Sequence, residues 1–189
     1  MMKDAIIKDV KYEFFDVHAA SKGLKFDRCN YLIDKIAEMN QYFGFYEEDV
    51  KSSTILSLQN GVVRVNCLDN LDRTNLIGSK IAYQVLTYIL ESIQIDVNKL
   101  VGSNSILTAA DNINNTSTFI IHLKNTWADN GDTISKHYTG TGSTHTNITR
   151  SGQRNIKGMM DHGFKSCRRL FQQFVDDNQK QEAIDILLG

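Results

Sequence analysis

Proline is absent from the 189 residues, which leaves turns and breaks to glycine, asparagine, aspartate and serine. Cysteine is scarce. Cys29, Cys67 and Cys167 are odd in number and far apart, so they make neither a disulfide framework nor a zinc-ligand spacing. A reducing compartment is the expectation. No apolar run approaches the ~20 residues of a membrane span, and the N-terminal MMKDAIIKDVKYEFF lacks the apolar stretch of a signal peptide. Net charge is almost nil: 21 basic groups face 22 acidic ones, giving −1. That balance argues against a nucleic-acid partner for the chain as a whole. What is present is a hydrophobic fraction of 41% against 23% charged. Such a chain can bury a core and is not a disordered tail. Its length suits one domain, or part of a larger one.

The charge is unevenly spread. Residues 136–172 carry seven basic groups (Lys136, Arg150, Arg154, Lys157, Lys165, Arg168 and Arg169) against Asp161 alone. A field of that sign draws phosphate groups or an anionic membrane surface, although a solvated basic face has the same composition.

Hydrophobic spacing gives a coarse map. Residues 12–18 (YEFFDVH) read as a short buried strand. From Asp27, a plausible N-cap, Cys29, Leu32, Ile33, Ile36, Met39 or Asn40, and Phe43 share one helical face that Gly44 ends. Residues 47–53 read as a polar connection. The β-branched run at 61–66 (GVVRVN) predicts a strand. Leu76, Ile77, Ile81, Val85, Ile89 and Leu90 then repeat at helical spacing. Residues 94–116 look loop-rich. Phe119, Ile120, Leu123 and Trp127 predict a helix interrupted at residues 129–132, and residues 139–152 read as an extended polar loop. Helices are expected over 156–175 and 178–188. The fold class is α/β, a mixed sheet flanked by helices.

The chemistry is carried where strand turns into helix. Cys67 and Arg73 are separated by five residues, and Thr74 follows. A loop closing between a strand and a helix can turn its backbone N–H groups inward, here those of Asn66, Leu68, Asn70, Leu71 and Asp72. The helix N-terminus adds positive potential at the same place. Such a cradle suits a phosphate monoester. A cysteine there loses its proton readily, and the thiolate can attack phosphorus. Arg73 offers a planar charged fork to the phosphate oxygens. Thr74 can hydrogen-bond the sulfur and improve it as a leaving group. The competing reading makes Cys67 a small buried hydrophobe and Arg73 a surface ion-pair partner. The strand before the loop, the long helix after it and Thr74 weigh against that reading.

The longer string RVNCLDNLDRTN, residues 64–75, resembles the signature of the Sac-domain phosphoinositide phosphatases. Arg64, Asn66, Cys67, Asp69, Leu71, Asp72, Arg73, Thr74 and Asn75 match it. Asn70 stands where that family usually has a second cysteine. Further blocks follow in family order. They are Phe15-Asp16-Val17-His18, Trp127-Ala128-Asp129-Asn130-Gly131-Asp132, Tyr138-Thr139-Gly140-Thr141-Gly142, Thr149-Arg150-Ser151-Gly152-Gln153-Arg154, and the closing residues 184–189.

The resemblance implies that residues 1–189 are the C-terminal half of a Sac catalytic domain. The activity implied is removal of a phosphate from the inositol ring, with phosphatidylinositol 4-phosphate as first candidate. No metal or other cofactor is implied. Cys67 would be the nucleophile, Arg73 the phosphate clamp, and Asp69 the favoured general acid. Asp72 reads better as a structural carboxylate. Asp129 and Asp132 are candidates beside the site, and His18 a weaker one. Lys136, Arg150 and Arg154 would line a basic groove for the headgroup. The partners implied are a phosphoinositide on an anionic membrane and the other half of the domain. The expected location is cytoplasmic, peripheral to endoplasmic reticulum, Golgi or endosomal membranes, with a role in lipid metabolism and membrane trafficking. The rival from another class is a catalytically idle phosphoinositide-binding or scaffold fragment.

Overall fold

The computed structural model of the chain describes residues 10–20 and 26–143. The helices expected at 156–175 and 178–188 lie outside the described residues, as do Arg150 and Arg154.

The aromatic run at 12–18 does not form a strand. Asp16 Oδ1 accepts the Ala19 N–H at 2.9 Å and starts the single helical turn α1 (Val17–Ala20). The side chain gives the backbone a local partner, and no neighbouring strand among the described residues competes for it. The next helical face is as the spacing predicts: Cys29, Ile33, Ile36 and Asn40 are all buried. It is divided, however, into a 3-10 turn (Phe26–Cys29), α2 (Asn30–Lys35) and α3 (Ala37–Phe43), with the break at Ile36. Asp27 lies inside the 3-10 turn and not at an N-cap. Gly44, with φ of 60°, ends α3.

Residues 47–53, expected as a plain connection, contribute β1 (Glu47–Asp49) and the turn into β2 (Thr54–Ser57). Asp49 holds that turn by accepting the Lys51 N–H at 2.9 Å and the Ser52 hydroxyl at 2.8 Å. The two strands pair antiparallel. Among the described residues this hairpin is the whole sheet, so the larger mixed sheet is not present there. Residues 61–66 join no sheet. Their side chains do alternate between half-buried and exposed, as a strand's would. What is missing beside them is a partner strand. The approach to this segment is nonetheless fixed. The Asn60 N–H donates to the Phe43 carbonyl at 2.7 Å. The Phe43 ring packs against Gly61 so closely that a side chain there would collide with it.

The long helix expected after the loop is α4 (Asp72–Ser92). The connection that follows is less irregular than its composition suggests. It contains α5 (Val97–Val101), capped by Asp96 accepting the Lys99 N–H at 3.2 Å, and α6 (Ile106–Asp111). The last described helix, α7 (Thr118–Thr139), runs unbroken through residues 129–132. Its buried residues Ile120, Lys124, Ala128, Gly131 and Ser135 fall at steps of three or four, one stripe along the helix. The helix packs against α4, α5 and α6, and the contact of Gly131 with Asn75 of α4 overrides the helix-breaking tendency of Asn130-Gly131-Asp132.

The core lies between α4, α6 and α7. Ile33, Tyr83, Leu90, Ile106, Leu107 and Ile120 are buried together, with Leu123 and Trp127 packed at the margin. Thr87 ties two of these helices. Its Oγ1 donates to the Tyr83 carbonyl at 3.0 Å and accepts the Ile106 N–H at 3.1 Å.

One charge is buried in this packing. Lys80, 3% exposed, donates from Nζ to both oxygens of Asp111 at 2.8 and 3.0 Å and to Asn30 Oδ1 at 2.8 Å. Asn30 Nδ2 closes the triangle on Asp111 Oδ2 at 2.7 Å. Three hydrogen bonds from two donor groups therefore satisfy one carboxylate, and α2, α4 and α6 are joined at a point. Removing one partner of a buried pair leaves an uncompensated charge and costs about 3–5 kcal/mol. Asp111 retains some solvent contact, so Asp111→Ala should lose about 3 kcal/mol, the low end of that range. Urea unfolding of the variant against the parent chain measures it.

Candidate active site

Cys67 begins the segment that connects the unpaired run at 61–66 to α4, and its side chain is half-buried. The thiol donates to Asp69 Oδ1 at 3.0 Å, and its sulfur accepts the Thr74 hydroxyl at 3.1 Å. The Cys67 N–H donates to Asn70 Oδ1 at 3.1 Å. Asp69 Oδ1 also accepts the Leu71 N–H at 3.2 Å and lies 3.8 Å from Arg73 Nη2. Cys67, Asp69, Arg73 and Thr74 are thus brought together within one turn of chain. Asn70, the departure from the Sac pattern, has a use here. It adopts φ of 53°, a left-handed conformation that asparagine tolerates, and its amide oxygen closes the turn on Cys67. Leu71 is buried at the helix entrance, whereas Leu68 is 95% exposed at the tip of the loop.

Two forces act on the Asp69 carboxyl. Partial burial pushes it up. The hydrogen bonds from the Cys67 thiol and the Leu71 N–H, with the Arg73 charge, outweigh burial and hold it below the ordinary carboxylate range. In this loop Asp69 is therefore ionised. Cys29 differs in kind. It is fully buried, and desolvation, only partly offset by the Lys80 charge, pushes its thiol up. A thiol in that state is a core group, not a nucleophile.

The Trp-Ala-Asp-Asn-Gly-Asp block on α7 packs directly against the start of α4. Asn75 Nδ2 donates to the Trp127 carbonyl at 3.0 Å, and Asn75 Oδ1 accepts Asn130 Nδ2 at 2.8 Å. Gly131 makes the approach feasible, since a β-carbon there would stand 2.8 Å from Asn75 Nδ2. Beyond α7 the chain turns at Gly140 and comes back toward α4. Residues 140–143 are not the solvated loop their composition suggests. Thr141 and Ser143 are buried because their polar atoms find partners. The Ser135 hydroxyl donates to the Thr141 carbonyl at 2.8 Å. The Ser143 N–H donates to Asp132 Oδ1 at 2.8 Å, and its hydroxyl donates to Asp72 Oδ1 at 2.5 Å. Asp72 and Asp132 both sit beside the loop with carboxylates engaged in this way. Asp129 is exposed on α7, and so is Lys136 near its C-terminal end. His18 is exposed on α1, which packs against the 3-10 turn.

Sequence reasoning missed Asn130, Gly131 and Ser143 as supports of the loop and gave Asn75 no role. The first three stand in the strings at 127–132 and 138–143, but only the fold brings α7 against α4. Among the described residues, no three His, Cys, Asp or Glu side chains converge as metal ligands, and no helix is long and apolar enough to cross a membrane.

The chain is 36% identical over 183 residues to the phosphatidylinositol-3-phosphatase SAC1 of Drosophila melanogaster, a match covering 95% of this chain and 28% of that protein. It is 33% identical over 180 residues to SAC1-B of Danio rerio, covering 95% of this chain and 29% of the relative. It is also 33% identical over 185 residues to SAC1 of Saccharomyces cerevisiae, covering 95% and 28% respectively. Over nearly its whole length the chain is thus similar to one part of the Sac phosphoinositide phosphatases. It spans less than a third of the length of these Sac relatives. These relatives are named as phosphatidylinositol phosphatases, which are phosphoric monoester hydrolases. No family profile matches the chain, and no solved structure does.

The depressed Asp69 carboxyl has a consequence for stability. Its folded-state pKa lies below the unfolded value of about 3.9, so its contribution is complete above that value and is lost as pH falls through the folded one. Asp69→Ala should therefore lower the urea midpoint at neutral pH. The gap between parent and variant should close under acid conditions below the ordinary carboxylate range. A gap that stays constant on acidification would contradict the ionised state assigned to Asp69.

Proposed function

We propose that this chain forms part of a phosphoinositide phosphatase domain and hydrolyses a phosphate monoester on the inositol ring through Cys67. The observation that carries the reading is the convergence of the Cys67 thiol, the Asp69 carboxylate, the Thr74 hydroxyl and the Arg73 guanidinium at the entrance of α4. Similarity to Sac phosphatases over nearly the whole chain supports it.

In the proposed sequence the thiol proton passes to Asp69. The thiolate attacks phosphorus and the P–O bond to the ring breaks. Asp69, now protonated, gives its proton to the departing oxygen. The negative charge of the substrate raises the Asp69 pKa and so helps it hold the proton until then. Water then attacks phosphorus, Asp69 takes its proton, and the S–P bond breaks. The hydrogen bond from Thr74 steadies the sulfur as it leaves. Arg73 and the N–H groups of Asn66, Leu68, Asn70, Leu71 and Asp72 receive the phosphoryl oxygens. The N–H groups of Cys67 and Leu71 are held by Asn70 and Asp69 in the unliganded loop. Phosphate entry must therefore draw the Leu71 group away from the Asp69 side chain.

The substrate to try first is phosphatidylinositol 4-phosphate. The 3-phosphate belongs beside it because relatives carry that position in their names. Lys136, Arg150 and Arg154 would face the headgroup and the anionic membrane, at the surface of an endomembrane. Asp129, Asp132 and His18 are not needed in the chemical steps. The remainder of the domain, present in the longer relatives, would cover apolar side chains that α3 and the hairpin expose, among them Tyr42, Ile55, Leu56 and Leu58.

Cys67→Ser should abolish phosphate release and leave substrate binding largely intact, because a serine hydroxyl is hardly ionised at neutral pH. Arg73→Lys keeps the charge and loses the fork. Turnover should fall about 100-fold or more, comparable to deleting one oxyanion donor, with affinity falling much less. Phosphate release from short-chain phosphoinositides measures both. A scaffold fragment would bind these lipids without releasing phosphate, and the losses in binding would be equal and modest.

A further inference from the structure

We infer that α7 and the turn that follows it are the device that aims Arg73 and Thr74, through two anchors on either side of that pair. The inference rests on the reading of residues 67–74 as a phosphate loop. The first anchor is Asp72, immediately before the pair. Its Oδ1 receives the hydroxyl of Ser143 at 2.5 Å, and Ser143 is itself held by its N–H on Asp132 Oδ1 at 2.8 Å. Ser143 is only 3% exposed. An O–H on a carboxylate at such a distance is a strong, charge-assisted bond. The second anchor is Asn75, immediately after the pair. Both ends of its amide are engaged by α7, at the Trp127 carbonyl and the Asn130 side chain.

Both anchors bond through their side chains to α7 and the turn after it. What they fix is the first turn of α4, from which the Thr74 hydroxyl reaches Cys67 Sγ at 3.1 Å. A loop of polar residues could hold that hydroxyl in several orientations. Clamped at Asp72 and Asn75, the turn has one. Asp72, Asn75, Asn130, Gly131, Asp132 and Ser143 are thus positioning residues, which act on the chemistry by way of Arg73 and Thr74. Displacement of a positioned group by about an ångström costs on the order of 100-fold in rate, so the anchors should show in turnover more than in affinity.

The test uses the full chain with Ser143→Ala, Ser143→Thr and Gly131→Ala. Ser143→Ala removes the hydroxyl and Ser143→Thr keeps it. Gly131→Ala places a methyl group against Asn75. Two readouts are taken. One is kcat and KM for short-chain phosphatidylinositol 4-phosphate and 3-phosphate. The other is the rate of iodoacetamide alkylation at Cys67 at neutral pH, followed on the peptide that carries it. Thermal melting of each variant checks the fold.

The expected result is a fall of roughly 10- to 100-fold in kcat for Ser143→Ala and Gly131→Ala. KM should stay close to the parent's, the Cys67 alkylation rate should change, and Ser143→Thr should restore both. Parent-like kcat and alkylation in Ser143→Ala and Gly131→Ala would overturn the inference. So would losses that Ser143→Thr fails to recover while all variants melt like the parent. If the parent releases no phosphate, the phosphatase reading fails on that result. Alkylation then still decides the clamp: a changed rate restored by threonine supports it, and an unchanged rate overturns it.

Discussion

The position of the Cys67 segment depends on how closely α7 approaches the first turn of α4. At Gly131 the absent side chain leaves room for the Asn75 amide, which then bonds to the Trp127 carbonyl and to Asn130. A glycine inside a helix costs roughly 1 kcal/mol relative to alanine. Two hydrogen bonds of ordinary net worth contribute about 1 kcal/mol each. The contact therefore outweighs the local penalty, and α7 runs through a string that would otherwise end it. From this one approach the rest follows. Ser143 returns to Asp72, the entrance of α4 is held from two directions, and Thr74 faces the sulfur.

A second constraint keeps α4 in place along its length. Lys80 is a charge with almost no access to water, and it is tolerated because Asp111 and Asn30 meet every direction in which it donates. Lys124 on α7 is also buried. Desolvation lowers its pKa, and the nearby Asp111 charge resists that fall. One carboxylate thus moderates two buried cations on facing helices. This arrangement fixes which helices meet and is weak evidence of extra stability in itself. The apolar packing around Ile33, Leu90, Ile106 and Ile120 carries the larger share of burial.

Much of the site was legible in the residues themselves. The five-residue spacing of Cys67 and Arg73, with Thr74 next, carries its own chemical logic, and α4 follows it as the apolar spacing predicts. The face of α2 and α3 was legible for the same reason: buried side chains recur at the helical period. What could not be read has physical causes. Residues 61–66 have a strand's alternation, but a strand also requires a neighbour, and pairing is not written in one segment. Residues 12–18 have aromatic residues suited to a strand, yet Asp16 supplies a competing local bond. Residues 129–132 look like a turn until Asn75 is placed beside them. Thr141 and Ser143 look solvated until their hydrogen-bond partners on α4 and α7 are known.

The proposed chemistry has one intermediate that no other reading shares, a phosphoryl group on the Cys67 sulfur. Rapid mixing of the chain with a short-chain phosphoinositide, quenching, and mass analysis of the peptide carrying Cys67 looks for it directly. A cysteinyl-phosphate route requires that peptide to gain the mass of one phosphoryl group in step with the first turnover, and to lose it as substrate is exhausted. Phosphate release with no modified Cys67 at any time, and undiminished in Cys67→Ser, would contradict it.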